Sequence, residues 1–317
     1  MKAQAIVFEQ PQRLSIQSLE LSELSDGEVE VQVEYSGIST GTERLLWDGS
    51  MPSFPGMGYP LVPGYETVGR VVRAAGQTSL KEGARVFVPG ANCLKGVRSL
   101  FGGSASRLVV PQSRTVTLQD NLGEQAVLLA LAATAYHAVA GGGQREPSPA
   151  PDLIIGHGVM GRLLARLAVA AGGPAPVVWE TAAHRHGGAR DYIVMHPDDD
   201  DRCDYKAIYD VSGDSTILDL AIARLAYGGE VVLAGFYKNA MSFVSGPALK
   251  KEARIRAASD WKRADLLAVS QLAHSGRLSL DGLITHTQVA EKAASAYDVA
   301  FGDTACLKMI LDWRHTA

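Results

Sequence analysis

The chain has 317 residues, room for about two domains at roughly 150 residues each. Apolar residues make up 46% and charged residues 20%, which excludes a disordered chain. The net charge of −4, from 30 Lys and Arg against 34 Asp and Glu, gives no general electrostatic footprint for nucleic acid.

The first residues, MKAQAIVFEQ, alternate like a strand and lack the apolar core of a secretion signal. Residues 1 to about 120 read as β-rich. Val29 to Tyr35 alternates apolar and polar, and Thr67 to Val72 and Arg85 to Val88 are short β-branched runs bounded by glycines. From Glu124 the period changes. Gln125 to Ala140 is rich in Ala and Leu and stops at Gly141-Gly142-Gly143, and 144–151 is a Pro-punctuated linker. The apolar run 126–140 is shorter than the ~20 residues a spanning helix needs. Cys93, Cys203 and Cys306 stand far apart with no C-x-x-C pair, against a disulfide framework or a multi-cysteine metal site. A cytoplasmic protein without an integral membrane segment is expected.

Strands and helices then alternate. DLIIG (152–156), PVVWE (176–180), DYIVM (191–195), KAIYDVSG (206–213) and EVVLAGF (230–236) read as strands; Val159 to Ala171 and Thr216 to Leu225 read as helices. That order implies a parallel sheet with right-handed crossovers. Only residues 196–205 separate DYIVM from KAIYDVSG, fewer than the dozen or so a parallel crossover needs, so either a helix is missing or one strand is misassigned. The tail offers helices at Asp265 to Ser275 and Glu291 to Phe301 and a last strand, CLKMILD (306–312).

Gly156-His157-Gly158-Val159-Met160-Gly161 is a G-x-G-x-x-G that follows an apolar strand and opens a helix. The first glycine permits the turn, the second lets backbone approach a pyrophosphate, and the third lets helix and strand pack closely. Glu180 ends the next strand, where a carboxylate accepts both hydroxyls of an adenosine ribose and repels a 2′-phosphate. NAD is therefore favoured, while His184-Arg185-His186 just beyond keeps NADP open.

These pieces, with SGISTGTE (36–43), PLVPGYETVGRV (60–71), GARVFV (83–88), FGGSASRLVVP (101–111), TAYHAV (134–139), GGEVVLAGF (228–236) and LITH (283–286), resemble the medium-chain dehydrogenase/reductase superfamily over nearly the whole chain. The resemblance implies an α/β protein: a GroES-like β-rich catalytic domain, split in sequence around a shortened Rossmann-type coenzyme domain with a parallel sheet. The expected boundaries are 1–122, 123–261 and 262–317. It also implies cofactor contacts at Thr134, Ser212, Gly235 and Phe236, with Lys308 reaching the pyrophosphate. Dimers are common in the superfamily, so a homodimer is compatible with this reading.

The departures from the zinc-dependent members carry information. Their first cysteine ligand falls on Ser39 or Thr40, their histidine on Tyr65 and their third ligand on Ala130, and the structural-zinc lobe retains only Cys93. Zinc needs about three N, S or carboxylate ligands at a catalytic site. No metal is expected. The resemblance then leaves Ser39, Thr40, Tyr65 and Glu66 at the catalytic centre, with Tyr65 orienting a substrate oxygen and Glu66 or a water taking the proton.

SGISTGTERLLWDGSMPSFPGMGYPLVPGYETVG (36–69), the shortened coenzyme half and DVSGD resemble the dehydrogenase family of bacteriochlorophyll biosynthesis that oxidises the C3 1-hydroxyethyl group of a (bacterio)chlorophyllide to acetyl. That resemblance implies NAD as hydride acceptor and a small-molecule tetrapyrrole substrate. Trp47, Phe54, Met57 and Tyr59 offer an apolar wall for a flat macrocycle. The competing readings are a zinc-free quinone or enoyl reductase and a non-catalytic dinucleotide-binding redox protein.

Overall fold

A computed structural model describes residues 1–141, 149–258 and 260–316. The rest of the glycine stop, Gly142-Gly143, and the linker residues 144–148 lie outside the described residues. The chain forms two compact units, Met1–Ala130 with Asp281–Ala317, and Leu131–Leu280.

The first unit is built on two sheets. The larger runs in the order His286–Val289, Met309–Asp312, Glu28–Ile38, Thr67–Ala74, Arg85–Val88 and Val116–Thr117, with Arg107–Pro111 also paired to Glu28–Ile38. The smaller runs Arg13–Glu20, Lys2–Gln10, Leu61–Pro63, Arg98–Leu100. Val29, Val31 and Val33 alternate into the core with no exposed surface, the period that identified this strand in the sequence. One pairing matters most for the site. Met309–Asp312 lies antiparallel to Glu28–Ile38 with Ile310 opposite Gly37, and this register delivers the preceding Lys308 beside Glu66.

Asp120–Val139 is long and apolar enough to cross a membrane by length and composition, longer than the run read from the sequence. It is a core element, with 67% of its most apolar window buried inside the protein. It starts as a 3-10 stretch, Asp120–Leu128, bends at Gly123 and continues as the α-helix Leu129–Val139.

The second unit is a six-stranded parallel sheet in the order Ile193–Met195, Val177–Trp179, Leu153–Ile155, Tyr205–Asp210, Leu225–Leu233, Arg254–Ala257. Helices Val159–Ala170, Leu218–Arg224 and Ser245–Lys251 make three of its crossovers. The strand expected over 230–236 begins earlier, at Leu225, and passes through Gly228-Gly229 with a register shift. Helix Ser245–Lys251 and the exposed edge strand Arg254–Ala257 have no counterpart in the sequence reading.

The short span 196–205 is resolved in favour of a missing helix. Both flanking strands form, joined only by the 3-10 turn Pro197–Asp199. A polar cluster ties this span to the neighbouring strands. Buried Asp200 accepts from the Trp179 indole at 2.7 Å, the Tyr205 hydroxyl at 2.5 Å and the Arg202 amide at 2.9 Å. Arg202 holds Asp152 through two parallel hydrogen bonds of 2.9 and 2.8 Å and lies over the Tyr205 ring.

Burial alone would raise the Asp200 carboxyl, but the hydrogen bonds from Tyr205, the Arg202 amide and Trp179 and the Arg224 charge bring it below the usual range. Its stabilisation is therefore complete above the ordinary aspartate value of about 3.9 and is lost as pH falls through the lowered native value. Asp200→Ala strands two buried donors and should cost about 2–4 kcal/mol in urea unfolding at neutral pH. Asp200→Asn should cost less, and a cost below about 1 kcal/mol for the alanine variant would show that the cluster does not hold the span.

Candidate active site

In the first unit the chain leaves strand Glu28–Ile38 at Ser39 and enters the short helix Thr42–Asp48. Tyr65 and Glu66 follow Gly64, whose φ of +100° and whose contact with Ser104 admit no side chain: a Cβ there would lie 2.7 Å from the Ser104 amide. This turn sets the Tyr65 hydroxyl against Ser39, donating to its Oγ at 2.6 Å, with Thr42 Oγ1 at 3.4 Å. The Tyr65 ring meets Phe101 edge-on, with centroids 5.3 Å apart. Burial, reinforced by the Glu66 charge, pushes the Tyr65 phenol above its usual value and outweighs the hydrogen bonds to Ser39 and Thr42. Tyr65 is therefore a protonated hydrogen-bond donor at ordinary pH.

Glu66 is fully buried, and the Lys308 ammonium forms an ion pair with its Oε2. Beyond this ion pair, neither Glu66 oxygen nor the Lys308 ammonium has a hydrogen-bond partner among the described residues. Burial raises the Glu66 carboxyl while the Lys308 charge opposes that rise. The sequence reading gives the proton to Glu66 or to a water, but no hydrogen bond among the described residues links Glu66 to Ser39 or Tyr65. The sequence reading put Lys308 at a pyrophosphate, whereas the structure buries its ammonium on Glu66 with 1% of the side chain exposed. Gly37 makes room for this pair: a Cβ there would lie 2.0 Å from Glu66 Oε2 and 2.9 Å from Lys308 Cε.

The sequence reading passed over Glu43, which is also fully buried. Its Oε1 accepts from the Ser39 amide at 3.3 Å and its Oε2 from the Tyr297 hydroxyl at 2.6 Å. Burial pushes its carboxyl up to about 8, with the Tyr297 hydrogen bond acting in the other direction. Thr40 is half-buried beside Ser39, and Ala130 is fully buried. Among the described residues no three of His, Cys, Asp and Glu come together.

The loop residues divide. Trp47 packs on the core, edge-on to Phe8 at 5.4 Å and stacked on Tyr297 at 6.3 Å. Met57 and Tyr59 also pack on that core, and the Tyr59 hydroxyl donates to the Leu46 carbonyl. Phe54 is exposed.

In the second unit the G-x-G-x-x-G forms the expected turn. Gly156 has φ +104° and Gly161 packs so tightly that a Cβ would fall 1.8 Å from the Gly156 carbonyl oxygen. Gly158 differs: a Cβ there meets nothing within 4 Å. Protein packing does not require that glycine, and the open space beside it is where a pyrophosphate would approach the start of helix Val159–Ala170, which opens with Val159 and Met160. Glu180 is buried beside the turn, with one oxygen accepting from the His157 amide at 3.1 Å and the other from the Ala182 amide at 2.9 Å.

His157 is fully buried behind the turn. Its Nδ1 faces the Arg185 carbonyl at 2.7 Å, which can only accept, so Nδ1 carries the proton and Nε2 accepts from the Tyr192 hydroxyl at 2.8 Å. Arg162 ties the same parts together, donating to the His157 and Arg185 carbonyls at 3.1 and 3.0 Å. Ser212 lies against Gly156 and donates its amide to buried Asp210 at 3.1 Å; Tyr237 donates its hydroxyl to the same carboxylate at 2.5 Å. Gly235 packs against Val211, Phe236 is exposed, and Thr134 is half-buried on helix Leu129–Val139.

Removing one partner of a buried ion pair leaves the other uncompensated, at about 3–5 kcal/mol. Lys308→Met should lower the unfolding free energy measured in urea by that amount, and adding Glu66→Gln should recover part of it; no recovery would mean that the lysine stem, not its charge, is what counts. Burial pulls the His157 imidazole from 6.5 down to about 4. Between these values the unfolded chain takes up a proton that the native imidazole refuses, so stability should fall on the order of 3 kcal/mol as pH drops through that window. His157→Gln should flatten that part of the stability–pH curve.

Residues 25–120 match the alcohol dehydrogenase GroES-like domain. The chain is 52% identical to the 2-desacetyl-2-hydroxyethyl bacteriochlorophyllide A dehydrogenase of Cereibacter sphaeroides over 100% of both chains. It is 53% identical to the protein of that name from Rhodobacter capsulatus over 99% of both. The fold is that of 2R,3R-butanediol dehydrogenase from Bacillus subtilis, with TM-score 0.83 and 21% identity over 98% of this chain and 99% of that one. Split sheet-rich unit, glycine turn and end-to-end identity agree: the chain belongs to the medium-chain dehydrogenase/reductase superfamily, and within it to the family of the 2-desacetyl-2-hydroxyethyl bacteriochlorophyllide A dehydrogenases.

Proposed function

We propose that this protein oxidises the 1-hydroxyethyl group of a (bacterio)chlorophyllide to an acetyl group, a CH–OH dehydrogenation in bacteriochlorophyll biosynthesis. The observation that carries the reading is the 52 and 53% identity to two dehydrogenases of that name across their whole length. A dinucleotide of the NAD(P) class fits the turn at Gly156–Gly161, whose open face at Gly158 leaves room for backbone to approach phosphate. When bound, its oxidised nicotinamide takes the hydride. The carboxylate of Glu180, fixed by two backbone amides beside the turn, supports NAD over NADP, because it would set negative charge against a 2′-phosphate.

The Tyr65–Ser39 pair does the positioning. Both are hydroxyls and both can donate or accept. Tyr65 now donates to Ser39; if Ser39 instead donates to Tyr65, the phenol proton is free to hold a substrate oxygen as alcohol and as ketone. Tyr65 stays protonated, so it orients rather than deprotonates. Glu66 is held by Lys308, away from the hydroxyl pair, which favours water as the proton acceptor over Glu66. The donor set does not fit zinc. Ser39, Tyr65 and Ala130 offer a hydroxyl, a phenol hydrogen-bonded to it and a methyl, so no step here uses a metal. Phe54 is the exposed aromatic of its loop, and that exposure supports it as the side chain that stacks on the macrocycle.

The red absorption band of a 3-(1-hydroxyethyl)-chlorophyllide should shift on adding enzyme and NAD, and much less with NADP. Tyr65→Phe should lower kcat about a hundredfold, the effect of losing one donor to a reacting oxygen. No band shift with either dinucleotide despite tight NADH binding would favour a non-catalytic role, and unchanged turnover by Tyr65→Phe would remove Tyr65 from the chemistry.

A further inference from the structure

Ser39 is held at both ends by one residue. Its amide donates to Glu43 Oε1 at 3.3 Å, and its carbonyl accepts from the Glu43 amide at 3.1 Å. Glu43 is fixed in turn, since its Oε2 accepts from Tyr297 at 2.6 Å. Tyr297 is fully buried and locked by rings on three sides: Phe8 edge-on at 5.2 Å, Phe301 edge-on at 5.5 Å and Trp47 stacked at 6.3 Å. The core of the unit is thus connected, contact by contact, to the hydroxyl that accepts the Tyr65 hydrogen bond.

We infer that Glu43 is a positioning residue: it sets the place of Ser39 Oγ, and through it the direction in which the Tyr65 hydroxyl points. The inference rests on the reading of Tyr65 as the group that holds the substrate oxygen. Two features separate this from packing alone. The carboxyl is spent on one backbone amide of the site and one anchoring phenol. The ammonium of the neighbourhood, Lys308, is paired with Glu66 and not with Glu43. A buried carboxyl facing donors but no cation works by its shape, and burial does hold it protonated toward about 8. An amide of the same length then reproduces both contacts, accepting from Ser39 through its oxygen and donating to Tyr297 through its nitrogen. A shorter carboxylate cannot span them. The expected order is therefore Gln above Asp, opposite to what conservation of charge would give.

The test compares Glu43→Gln, Glu43→Asp and Glu43→Ala in the full chain, read by hydrogen exchange of the Ser39 amide and by steady-state kinetics with the hydroxyethyl chlorophyllide and NAD. Glu43→Ala should speed exchange at Ser39 and lower kcat about tenfold, the worth of one neutral hydrogen bond, with the dinucleotide KM unmoved. Glu43→Gln should recover most of both losses, and Glu43→Asp should not. In a Ser39→Ala background Glu43→Ala should add nothing. Losses that add, or a Gln variant as impaired as Ala, overturn the inference while an impaired Tyr65→Phe leaves the reading of Tyr65 standing. A silent Tyr65→Phe defeats that reading first and the inference with it. If Glu43→Ala does not fold, Tyr297→Phe, which removes the anchor alone, should speed exchange at Ser39, and unchanged exchange there overturns the inference.

Discussion

Lys308 and Glu66 come from opposite ends of the chain and meet where neither reaches water. Taking two charges out of water is expensive, and their attraction repays it only when the geometry is held firmly. The first unit supplies that firmness. Strand Met309–Asp312 is clamped between His286–Val289 and Glu28–Ile38, and Gly37 gives up its side chain so that the pair can sit against the strand. Among the described residues no group other than Lys308 pairs with the carboxylate, so the register of the last strand and the position of the Tyr65-Glu66 turn are set together. Tyr65, raised above the usual phenol range by burial and further by the Glu66 charge, is a donor rather than a base.

The second unit solves a different problem. A parallel sheet normally gains one helix per crossover, and here the outer strand Ile193–Met195 has none on either side of it. The span after it is tied down by electrostatic and aromatic contacts among Asp200, Arg202, Trp179 and Tyr205. Such clusters hold only if every member is satisfied, because a stranded donor in low dielectric costs more than a missing methyl group. The neutral, single-tautomer His157 behind the glycine turn follows the same logic: a histidine in the second position of the motif is tolerated because a carbonyl and a phenol take up its two nitrogens.

Features governed by local rules were legible in the sequence. Arg85–Val88 is predicted residue for residue because β-branched side chains between glycines have few alternatives, and the glycine turn is readable because two of its three glycines are forced by backbone contact. The gap at 196–205 already showed that either a helix is missing or one strand is misassigned. What escaped depends on partners far along the chain. Glu43 is only the last residue of the SGISTGTE segment until Tyr297 arrives to anchor it, and Lys308 reads as reaching a pyrophosphate until strand pairing lays it on Glu66. Trp47 sits among Gly, Pro and Met residues, the composition of an exposed loop, yet it closes the short helix Thr42–Asp48 and joins the aromatic core. Helix Ser245–Lys251 begins Ser-Gly-Pro and the edge strand Arg254–Ala257 is largely exposed, so neither carries the periodicity that marks a buried element.

The segment that replaces the first missing crossover has a consequence for engineering. The Arg185 carbonyl receives both the His157 ring and the Arg162 guanidinium, and the His186 ring donates to the Glu180 carbonyl at 2.7 Å. The stretch after Glu180 is therefore not an interchangeable surface loop. Grafting a foreign sequence there would also withdraw the floor beneath the glycine turn Gly156–Gly161. In this shortened scaffold the stretch after Glu180 and the glycine turn are mechanically one unit, and redesign of either would have to rebuild them together.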